Sequence, residues 1–133
     1  MKKIFTIIFI IFFTTGASSA KSIKEAYFAG GCFWCMEEFF EKVKGVEDVI
    51  SGYSGGNLEN PTYKEVTYEN TGHFEAIKII YDEDIINYEK ILNFYWQNID
   101  PFDSAGQFCD KGLSLDLLVF LKTKVKKRQL KIP

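Results

Sequence analysis

The chain has 133 residues, of which 47% are hydrophobic and 17% aromatic, and its formal net charge is −2. This length is too short for two ordinary domains and long enough for one modest core, so we expect a single domain. The nearly balanced charge gives no basic field of the kind that nucleic-acid binding requires, and we expect no nucleic-acid partner. Three cysteines are too few for a disulfide scaffold, and their odd number favours chemistry over structural cross-links.

The first twenty residues, MKKIFTIIFIIFFTTGASSA, have the three parts of a secretory signal. Two lysines precede an apolar run from Ile4 to Phe13, and small residues follow, with Ser18 and Ala20 at the positions before a cleavage site. This apolar run is shorter than the ~20 residues that span a bilayer, so a cleaved signal is favoured over a membrane anchor. We therefore predict cleavage near Ala20 and export to the periplasm or the cell exterior.

Short strand patterns and amphipathic helix patterns alternate from Lys21 onward. The first strand pattern is IKEAYFA, which ends at the Gly30-Gly31 turn. A helix pattern follows, with four apolar residues at the spacing of one buried face: Met36, Phe39, Phe40 and Val43. Gly45 is expected to end this helix.

Two further strands and a second helix are predicted in the middle of the chain. VEDVISGYSGG predicts a strand that continues into a loop, and NPTY at 60–63 predicts a turn followed by a short segment. HFEAIKIIYD, residues 73–82, is the clearest strand pattern. Five apolar positions then indicate an amphipathic helix: Tyr88, Ile91, Leu92, Tyr95 and Trp96. This order predicts an α+β fold, a two-layer α/β sandwich with helices packed on a mixed sheet, related to the ferredoxin-like plait.

The stretch GGCFWCMEEFF, residues 30–40, carries the strongest chemical signal in the sequence. Cys32 is expected at the first turn of the helix, where unpaired N–H groups and the positive end of the helix dipole stabilise a thiolate. We therefore predict that Cys32 is a nucleophile. Cys35 lies over the same turn, can close a disulfide with Cys32, and is expected to be the better shielded of the two.

Three other interpretations of this motif stay open from the residues alone. Two buried cysteines can act as small hydrophobes, although packing alone does not need a glycine pair. A zinc site would need four ligands from distant parts of the chain: Cys32, Cys35, Cys109 and His73. Structural zinc ligands usually come as two close pairs, so we prefer His73 as an ordinary histidine at the start of a strand. A thiol–disulfide oxidoreductase also fits the order strand, CxxC, helix, although Phe33 and Trp34 would build an apolar pocket beside the nucleophile.

Five longer motifs follow one another between about Ile23 and Leu113: AGGCFWCMEEFF, GVEDVISGYSGG, NPTYKEV, TGHFEAIKIIYD and FYWQNIDPFDSAGQFCDKG. In sequence, order and spacing they resemble the type A methionine sulfoxide reductases, the peptide-methionine (S)-S-oxide reductases. Several independent motifs in one order make this resemblance highly specific. It implies an enzyme that reduces methionine-S-sulfoxide, protein-bound or free, to methionine.

The resemblance implies roles for the residues of the cysteine motif. Cys32 attacks the sulfoxide sulfur, and Phe33 and Trp34 cradle the methyl group of the substrate. Loss of the product methionine leaves Cys32 as a sulfenic acid, which a neighbouring thiol condenses to a disulfide. Cys35 is the expected resolving thiol, and Cys109 is a second candidate for that role.

The resemblance also implies an acid and two supporting groups. The carboxyl group of Glu75 hydrogen-bonds to or protonates the sulfoxide oxygen. Strand alternation places Glu75 on the same face as Ile77 and Ile79, and such an apolar setting raises a carboxyl pKa and keeps the group protonated, as a general acid requires. Tyr63 points at the same oxygen, and Asp110 helps to order the site.

The expected partners follow from the same resemblance. The substrate is methionine sulfoxide, in oxidised proteins or free, and a thioredoxin-like protein or another dithiol reduces the disulfide. No metal and no other cofactor is expected, and the chain is expected to act as a monomer.

The sequence departs from the family after DKG, where the family continues with a strand similar to YRSAIF. Leu115 stands in the place of that tyrosine and has no hydroxyl, so one donor to the sulfoxide oxygen is expected to be missing. The final KTKVKKRQLKIP contains six basic residues and no acidic one. We interpret residues 115–133 as an atypical basic tail produced by a shifted reading frame, which leaves the reductase domain, residues 21–114, truncated at its C-terminal side. An inactive truncated product that no longer folds is the alternative to an active enzyme.

Overall fold

The computed structural model describes residues 20–103, 106–108, 110–116 and 118–120 of the chain. Within these ranges the strands are β1 (Ile23–Ala29), β2 (Val46–Ser54), β3 (Phe74–Asp82), β4 (Gly106–Gln107), β5 (Asp110–Lys111) and β6 (Leu118–Phe120). The helices are α1 (Phe33–Glu41), α2 (Tyr63–Tyr68) and α3 (Tyr88–Gln97).

The first helix is shorter than its sequence pattern predicts. It ends at Glu41 with Lys42 as its C-cap, whereas Gly45, at a φ of 98°, lies in the turn that leads into β2. The buried face of α1 is formed by Phe33, Met36 and Phe40. Phe39, which the pattern assigns to that face, is 39% exposed, because the buried stripe runs along the neighbouring side of the helix.

A short helix, α2, follows the Asn-Pro turn, where the sequence predicts only a turn and a short segment. Its first turn is held by a capping box: Thr62 Oγ1 accepts from the N–H of Glu65, and the Glu65 carboxylate accepts from the N–H of Thr62. This cap fixes the position of Tyr63, the first residue of the helix.

The main sheet has the strand order β2-β3-β1-β6. Strands β1 and β2 are joined through α1, but β3 lies between them and pairs antiparallel with both. This is the split β-α-β arrangement of ferredoxin-like folds. The predicted α+β class, with helices packed on one sheet, is confirmed. The sheet is antiparallel in all its described pairings rather than mixed, because strands that run in the same direction are not adjacent: β3 separates β1 from β2, and β1 separates β3 from β6.

One face of the sheet carries the core. Along β3 the residues Ile77, Ile79 and Tyr81 are fully buried, and opposite them on β1 stand Ala26 and Phe28. Helices α1 and α3 supply the aromatic side chains that cover this face, and the ring of Phe28 lies 6.0 Å from Phe40, 6.0 Å from Tyr88 and 4.8 Å from Tyr95. Side chains from two layers therefore form one core, and Glu75 lies at the end of its β3 row.

Several sequence predictions fall outside the described residues: the secretory signal, Cys109, and the basic tail from residue 121 onward. The first part of that tail is described, and there β6 pairs antiparallel with β1, with Phe28 opposite Val119. None of the helices that the structure describes has the length and apolar character needed to cross a bilayer.

Candidate active site

Cys32 is the N-cap residue of α1, directly after the glycine turn that ends β1. Its backbone is non-helical, with φ −55° and ψ 115°, and its carbonyl accepts the first helical hydrogen bond, 3.1 Å from the N–H of Met36. The thiol is therefore placed at the positive end of the helix dipole, beside N–H groups that have no partner within the helix.

Two side chains hold the turn that carries Cys32. The hydroxyl of Tyr95 donates a 2.7 Å hydrogen bond to the carbonyl of Ala29 at the end of β1. Gln107 packs against Gly31, whose φ of +82° lies in the left-handed region, and a Cβ added there would come within 2.6 Å of the Gln107 Cβ. Gln107 is in turn fixed by hydrogen bonds to the N–H and the carbonyl of Asp100. The position of Cys32 thus depends on contacts from α3 and from the segment after it.

Glu75 stands opposite the helix start, on β3. Its side chain is buried, and one carboxylate oxygen, Oε2, accepts a 3.1 Å hydrogen bond from the N–H of Phe33. Its own N–H donates to the carbonyl of Ser114 at 2.8 Å. Burial raises the pKa of Glu75 above its ordinary value, the hydrogen bond from Phe33 acts in the opposite direction, and the charge of Asp110 raises it further. A raised pKa is expected for a carboxyl group that stays protonated and can donate its proton.

A cavity of about 480 Å³ brings most of the predicted site residues together. Its wall is formed by ten residues: Cys32, Trp34, Tyr63, Thr67, Glu75, Asp110, Lys111, Gly112, Ser114 and Leu115. One thiol, two carboxyl groups and two aromatic rings therefore face the same space. The cavity is large enough for a small thioether or sulfoxide side chain.

The aromatic side of this cavity is formed by Trp34 and Tyr63. Their rings are stacked with centroids 5.4 Å apart, and both are substantially exposed, at 59% and 43%. Phe33 is buried behind them, 5.0 Å from the Trp34 ring and 6.3 Å from the Tyr63 ring. The structure therefore places Trp34 and Tyr63 in the wall of the cavity, whereas Phe33 supports them from within the core.

A second, smaller cavity of about 190 Å³ lies on the other side of Cys32. Nine residues form its wall: Gly30, Cys32, Cys35, Met36, Phe39, Asn98, Gln107, Phe108 and Asp110. Cys32 and Asp110 belong to both cavities, while Cys35 belongs to this one. The two thiols of the motif are thus reached from two different sides.

Cys35 is more exposed than Cys32, which contradicts the expectation that Cys35 would be the better shielded. The reason is the orientation of α1, which turns Phe33, Met36 and Phe40 into the core and leaves Cys35 at the edge. A hydrogen bond to Cys32 and partial burial raise the pKa of Cys35 to about 11. Cys35 is therefore a protonated thiol at neutral pH, hydrogen-bonded to the thiol of the residue that caps the helix.

His73 is placed as the sequence predicts, directly before β3 and buried. Its Nδ1 accepts a 3.2 Å hydrogen bond from the N–H of Gly56, and its Nε2 lies 2.9 Å from the carbonyl of Leu58, to which it donates. Both ring nitrogens are thus engaged by the loop after β2, which makes His73 a structural residue. Among the residues that the structure describes, no three metal-ligating side chains lie close enough to hold an ion.

Several residues of the site were not identified from the sequence. The large cavity is also lined by Thr67, Lys111, Gly112 and Ser114. Tyr95 and Gln107 contact the cysteine turn from segments that are far away in the sequence. No local pattern marks them, because their contacts join segments that are far apart in the chain. The glycine pair is the one sequence signal for these contacts, because glycine is favoured where the backbone is left-handed or where another segment approaches it closely.

Leu115 stands in the place where the family has a tyrosine, and in the structure it lies at the site. It lies in the wall of the large cavity together with Cys32 and Glu75, and it is largely buried. Its N–H donates to the carbonyl of Gly112 at 3.1 Å, which closes a turn after β5. An apolar residue therefore forms part of the wall to which Cys32 and Glu75 also belong.

Residues 24–132 match the family model described as peptide methionine sulfoxide reductase. The peptide methionine sulfoxide reductase MsrA of Bacillus subtilis (strain 168) is 54% identical over 95 residues, which cover 71% of this chain and 54% of that protein. The MsrA of Listeria welshimeri is 53% identical over 100 residues, which cover 75% of this chain and 56% of that protein. The chain thus spans about half the length of the curated relatives it matches.

Solved structures give the same assignment. Methionine sulfoxide reductase A of Corynebacterium diphtheriae superposes with a TM-score of 0.71 at 26% sequence identity, over 74% of this chain and 46% of that one. The reduced form of Mxr1 from Saccharomyces cerevisiae gives a TM-score of 0.69 at 26% identity, over 74% of this chain and 59% of that one. The motif, the arrangement of the cavity and these comparisons agree: the chain belongs to the peptide methionine sulfoxide reductase family.

Proposed function

We propose that this protein reduces methionine-S-sulfoxide, in oxidised proteins or free, to methionine. The observation that carries the proposal is the shared cavity in which Cys32, at the N-terminus of α1, faces the buried carboxyl group of Glu75. Membership of the peptide methionine sulfoxide reductase family supports it. A nucleophilic thiolate and a proton donor are the two groups that sulfoxide reduction needs.

The proposed reaction begins with the substrate in the large cavity. Trp34 and Tyr63 contact the methyl group with their rings, and the Tyr63 hydroxyl and the Glu75 carboxyl group hydrogen-bond to the sulfoxide oxygen. The Cys32 thiolate attacks the sulfoxide sulfur while Glu75 gives its proton to the oxygen. The S–O bond breaks as the Cys32 sulfur bonds to the substrate sulfur, and the protonated oxygen leaves as hydroxide. Hydroxide then attacks the Cys32 sulfur, the bond between the two sulfurs breaks and methionine leaves, so that Cys32 becomes a sulfenic acid and the substrate gains two electrons.

Cys35 is the proposed resolving thiol. Its sulfur attacks the sulfenic acid of Cys32, a disulfide forms, and water leaves. The hydrogen bond between Cys35 and Cys32 supports this assignment, because a resolving thiol must lie within bonding reach of the sulfenic sulfur. Cys109 is the alternative, and it lies outside the described residues.

A dithiol reductant, such as a thioredoxin-like protein, is proposed to restore the two thiols. Its thiolate attacks the Cys35 sulfur, Cys32 leaves as a thiolate, and the second thiol of the reductant then releases Cys35 by forming its own disulfide. The exposure of Cys35 in the small cavity supports attack from that side, away from the substrate. Neither a metal nor another cofactor is proposed to take part.

We further propose that the chain is exported and acts on oxidised proteins outside the cytoplasm, as a monomer. The support for export is the secretory pattern of the first twenty residues. Cell fractionation and amino-terminal sequencing test this: protein outside the cytoplasm with Lys21 as its first residue is expected, and protein that stays in the cytoplasm with an intact Met1 would contradict export.

Turnover of the two methionine sulfoxide epimers tests the activity itself. With a small dithiol as reductant, the full chain is expected to consume the S epimer and to leave the R epimer unchanged. Exchange of protein disulfides without reduction of either epimer would instead identify a thiol–disulfide oxidoreductase.

A further inference from the structure

Tyr53, on β2, has a buried hydroxyl group that the proposed mechanism does not use. The side chain is 1% exposed, and within the part of the chain that the structure describes its hydroxyl has no hydrogen-bond partner. Its ring lies against Phe33, with centroids 5.5 Å apart, and meets His73 edge-on at 6.5 Å. The residue is therefore held firmly by its ring while its polar end is left unsatisfied.

The register of the sheet places this side chain beside Glu75. Tyr53 and Glu75 are directly opposed in the antiparallel pair β2–β3, so their side chains are neighbours on the same face of the sheet. That face is the one against which α1 packs, since the N–H of Phe33 reaches the Glu75 carboxylate there. A phenol and a carboxyl group thus share a buried space just behind the large cavity.

The hydroxyl is available as a donor at every pH at which the protein is expected to work. Burial, the carboxylate of Glu75 and the hydroxyl of Tyr63 raise the pKa of Tyr53 to about 12. A phenylalanine would fill the same ring position without an unpaired hydroxyl, whose burial has a free-energy cost. The hydroxyl therefore has no packing role that its ring does not already fulfil.

We propose that Tyr53 is a positioning residue for the acid: its hydroxyl donates a hydrogen bond to the Glu75 carboxylate that forms when Glu75 gives its proton to the sulfoxide. This inference rests on the proposed function, because it assigns a partner to the group that acts there as the acid. Two donors, the N–H of Phe33 and the hydroxyl of Tyr53, then stabilise the charge that remains on the protein during the reaction.

Several other titratable or charged groups also face Glu75, and each is unchanged in the test below. They come from the start of α1, from α2 and from β5: Cys32, Tyr63, Asp110 and Lys111. Among them Asp110 is the one whose charge raises the pKa of Glu75. A change in the titration of Glu75 on removal of the Tyr53 hydroxyl alone therefore reports on that hydroxyl.

Tyr53→Phe tests the proposal, and Tyr81→Phe is its matched control. Tyr81 is fully buried, its hydroxyl likewise has no partner among the described residues, and it lies on the same face of β3. It stands roughly 20 Å along the strand from Glu75, at the usual rise per residue. Both variants remove an unpaired buried hydroxyl, so neither is expected to lower the melting temperature.

Two measurements, the NMR titration of Glu75 and the enzyme kinetics, are expected to separate the variants. In Tyr53→Phe the pKa of Glu75, followed by NMR of its labelled carboxyl carbon, should rise by about one unit, because the carboxylate loses a donor. The kcat for methionine-S-sulfoxide should fall about tenfold at unchanged KM, and the pH at which the rate declines on the alkaline side should move up with the pKa. Tyr81→Phe should leave all three quantities as in the unaltered protein.

The two readouts also distinguish this inference from the proposed function. If Tyr53→Phe leaves the pKa of Glu75 unchanged or lowers it, the hydroxyl does not serve the carboxylate and the inference is wrong, whatever the activity. If the pKa rises as expected but the unaltered protein does not reduce the S epimer, the contact exists and the proposed reaction is wrong. Loss of activity in both variants would also overturn the inference, because a general effect on packing would then explain it.

Discussion

The main-chain N–H of Phe33 donates a 3.1 Å hydrogen bond to Oε2 of Glu75, which is 42 positions further along the chain. This bond joins the first turn of α1 to β3 and fixes the distance between the helix that begins at Cys32 and the buried carboxyl group. Phe33 therefore acts through its backbone as well as its ring, which is packed against Tyr53.

Replacement of that carboxyl group is expected to slow the reaction without weakening substrate binding. Glu75→Gln keeps the size and a hydrogen-bonding group, but an amide is a poor proton donor, so kcat for methionine-S-sulfoxide should fall about 100-fold or more at nearly unchanged KM. Glu89→Gln, on the exposed first turn of α3, is the control and should leave the rate unchanged. A Glu75→Gln enzyme with full activity across neutral pH would remove Glu75 from the mechanism.

The same substitution is expected to stabilise the protein at neutral pH. Burial raises the pKa of Glu75 above its ordinary value of 4.5, so the folded state binds this proton more tightly than the unfolded chain does. The favourable contribution of Glu75 to the free energy of unfolding is therefore complete below about pH 4.5 and is lost as the pH rises through the folded-state pKa. Thermal melts should show Glu75→Gln above the unaltered protein at neutral pH, with a difference that shrinks on acidification. A difference independent of pH would contradict a raised pKa.

The two cysteines of the motif are expected to differ in how their loss affects turnover. Cys32→Ser should abolish reduction, because an alcohol provides no thiolate at the helix N-terminus. Cys35→Ser should allow one turnover and then stop, leaving a sulfenic acid on Cys32 that dimedone traps and mass spectrometry detects. If Cys35→Ser continues through many turnovers with a dithiol reductant, Cys109 is the resolving thiol instead.

The fold could be predicted largely from the sequence because its elements carry strong local signals. The limits of β1 follow from a seven-residue strand pattern that ends at two glycines, and the β3 pattern runs to Asp82 as predicted. The exposure of Cys35 could not be predicted, because an amphipathic pattern defines a buried stripe only to within about one residue on either side. The contradicted shielding of Cys35 and the exposed Phe39 are two consequences of the same small rotation of α1.

The residues proposed to take part in the chemistry were easier to predict than the residues that hold them in place. Cys32, Glu75 and Tyr63 were identified because they lie within continuous motifs, and the structure brings them to one cavity. The contacts that position Cys32 are different, since Tyr95 and Gln107 act through the backbone of residues far away in the sequence. A hydrogen bond from a side chain to a distant carbonyl has no sequence pattern, so such residues appear only in the folded structure.

The glycine turn before Cys32 is expected to be intolerant of even the smallest side chain. Gly31→Ala forces an alanine into left-handed backbone and places its Cβ within 2.6 Å of Gln107, so the free energy of unfolding should fall by about 2 kcal/mol or more. Gly112→Ala is the control, because a Cβ there would meet nothing nearer than 3.8 Å. Chemical denaturation of both variants measures the difference. Equal stabilities would mean that Gln107 moves aside freely and does not hold the cysteine turn.

The last expectation concerns Leu115, whose apolar side chain stands in the cavity wall with Cys32 and Glu75. The position is largely buried and its backbone is fixed by the turn from Gly112, so a larger side chain there would project into the cavity. Leu115→Tyr would add a hydroxyl donor beside the sulfoxide oxygen, where negative charge develops, and kcat should rise about tenfold or more. Leu115→Phe supplies the ring without the hydroxyl and should leave kcat close to that of the unaltered protein. The ratio of the two rates isolates the hydroxyl from the change in cavity shape. If both variants are slower than the unaltered protein by the same factor, Leu115 is needed for its shape and the site does not lack a donor at this position.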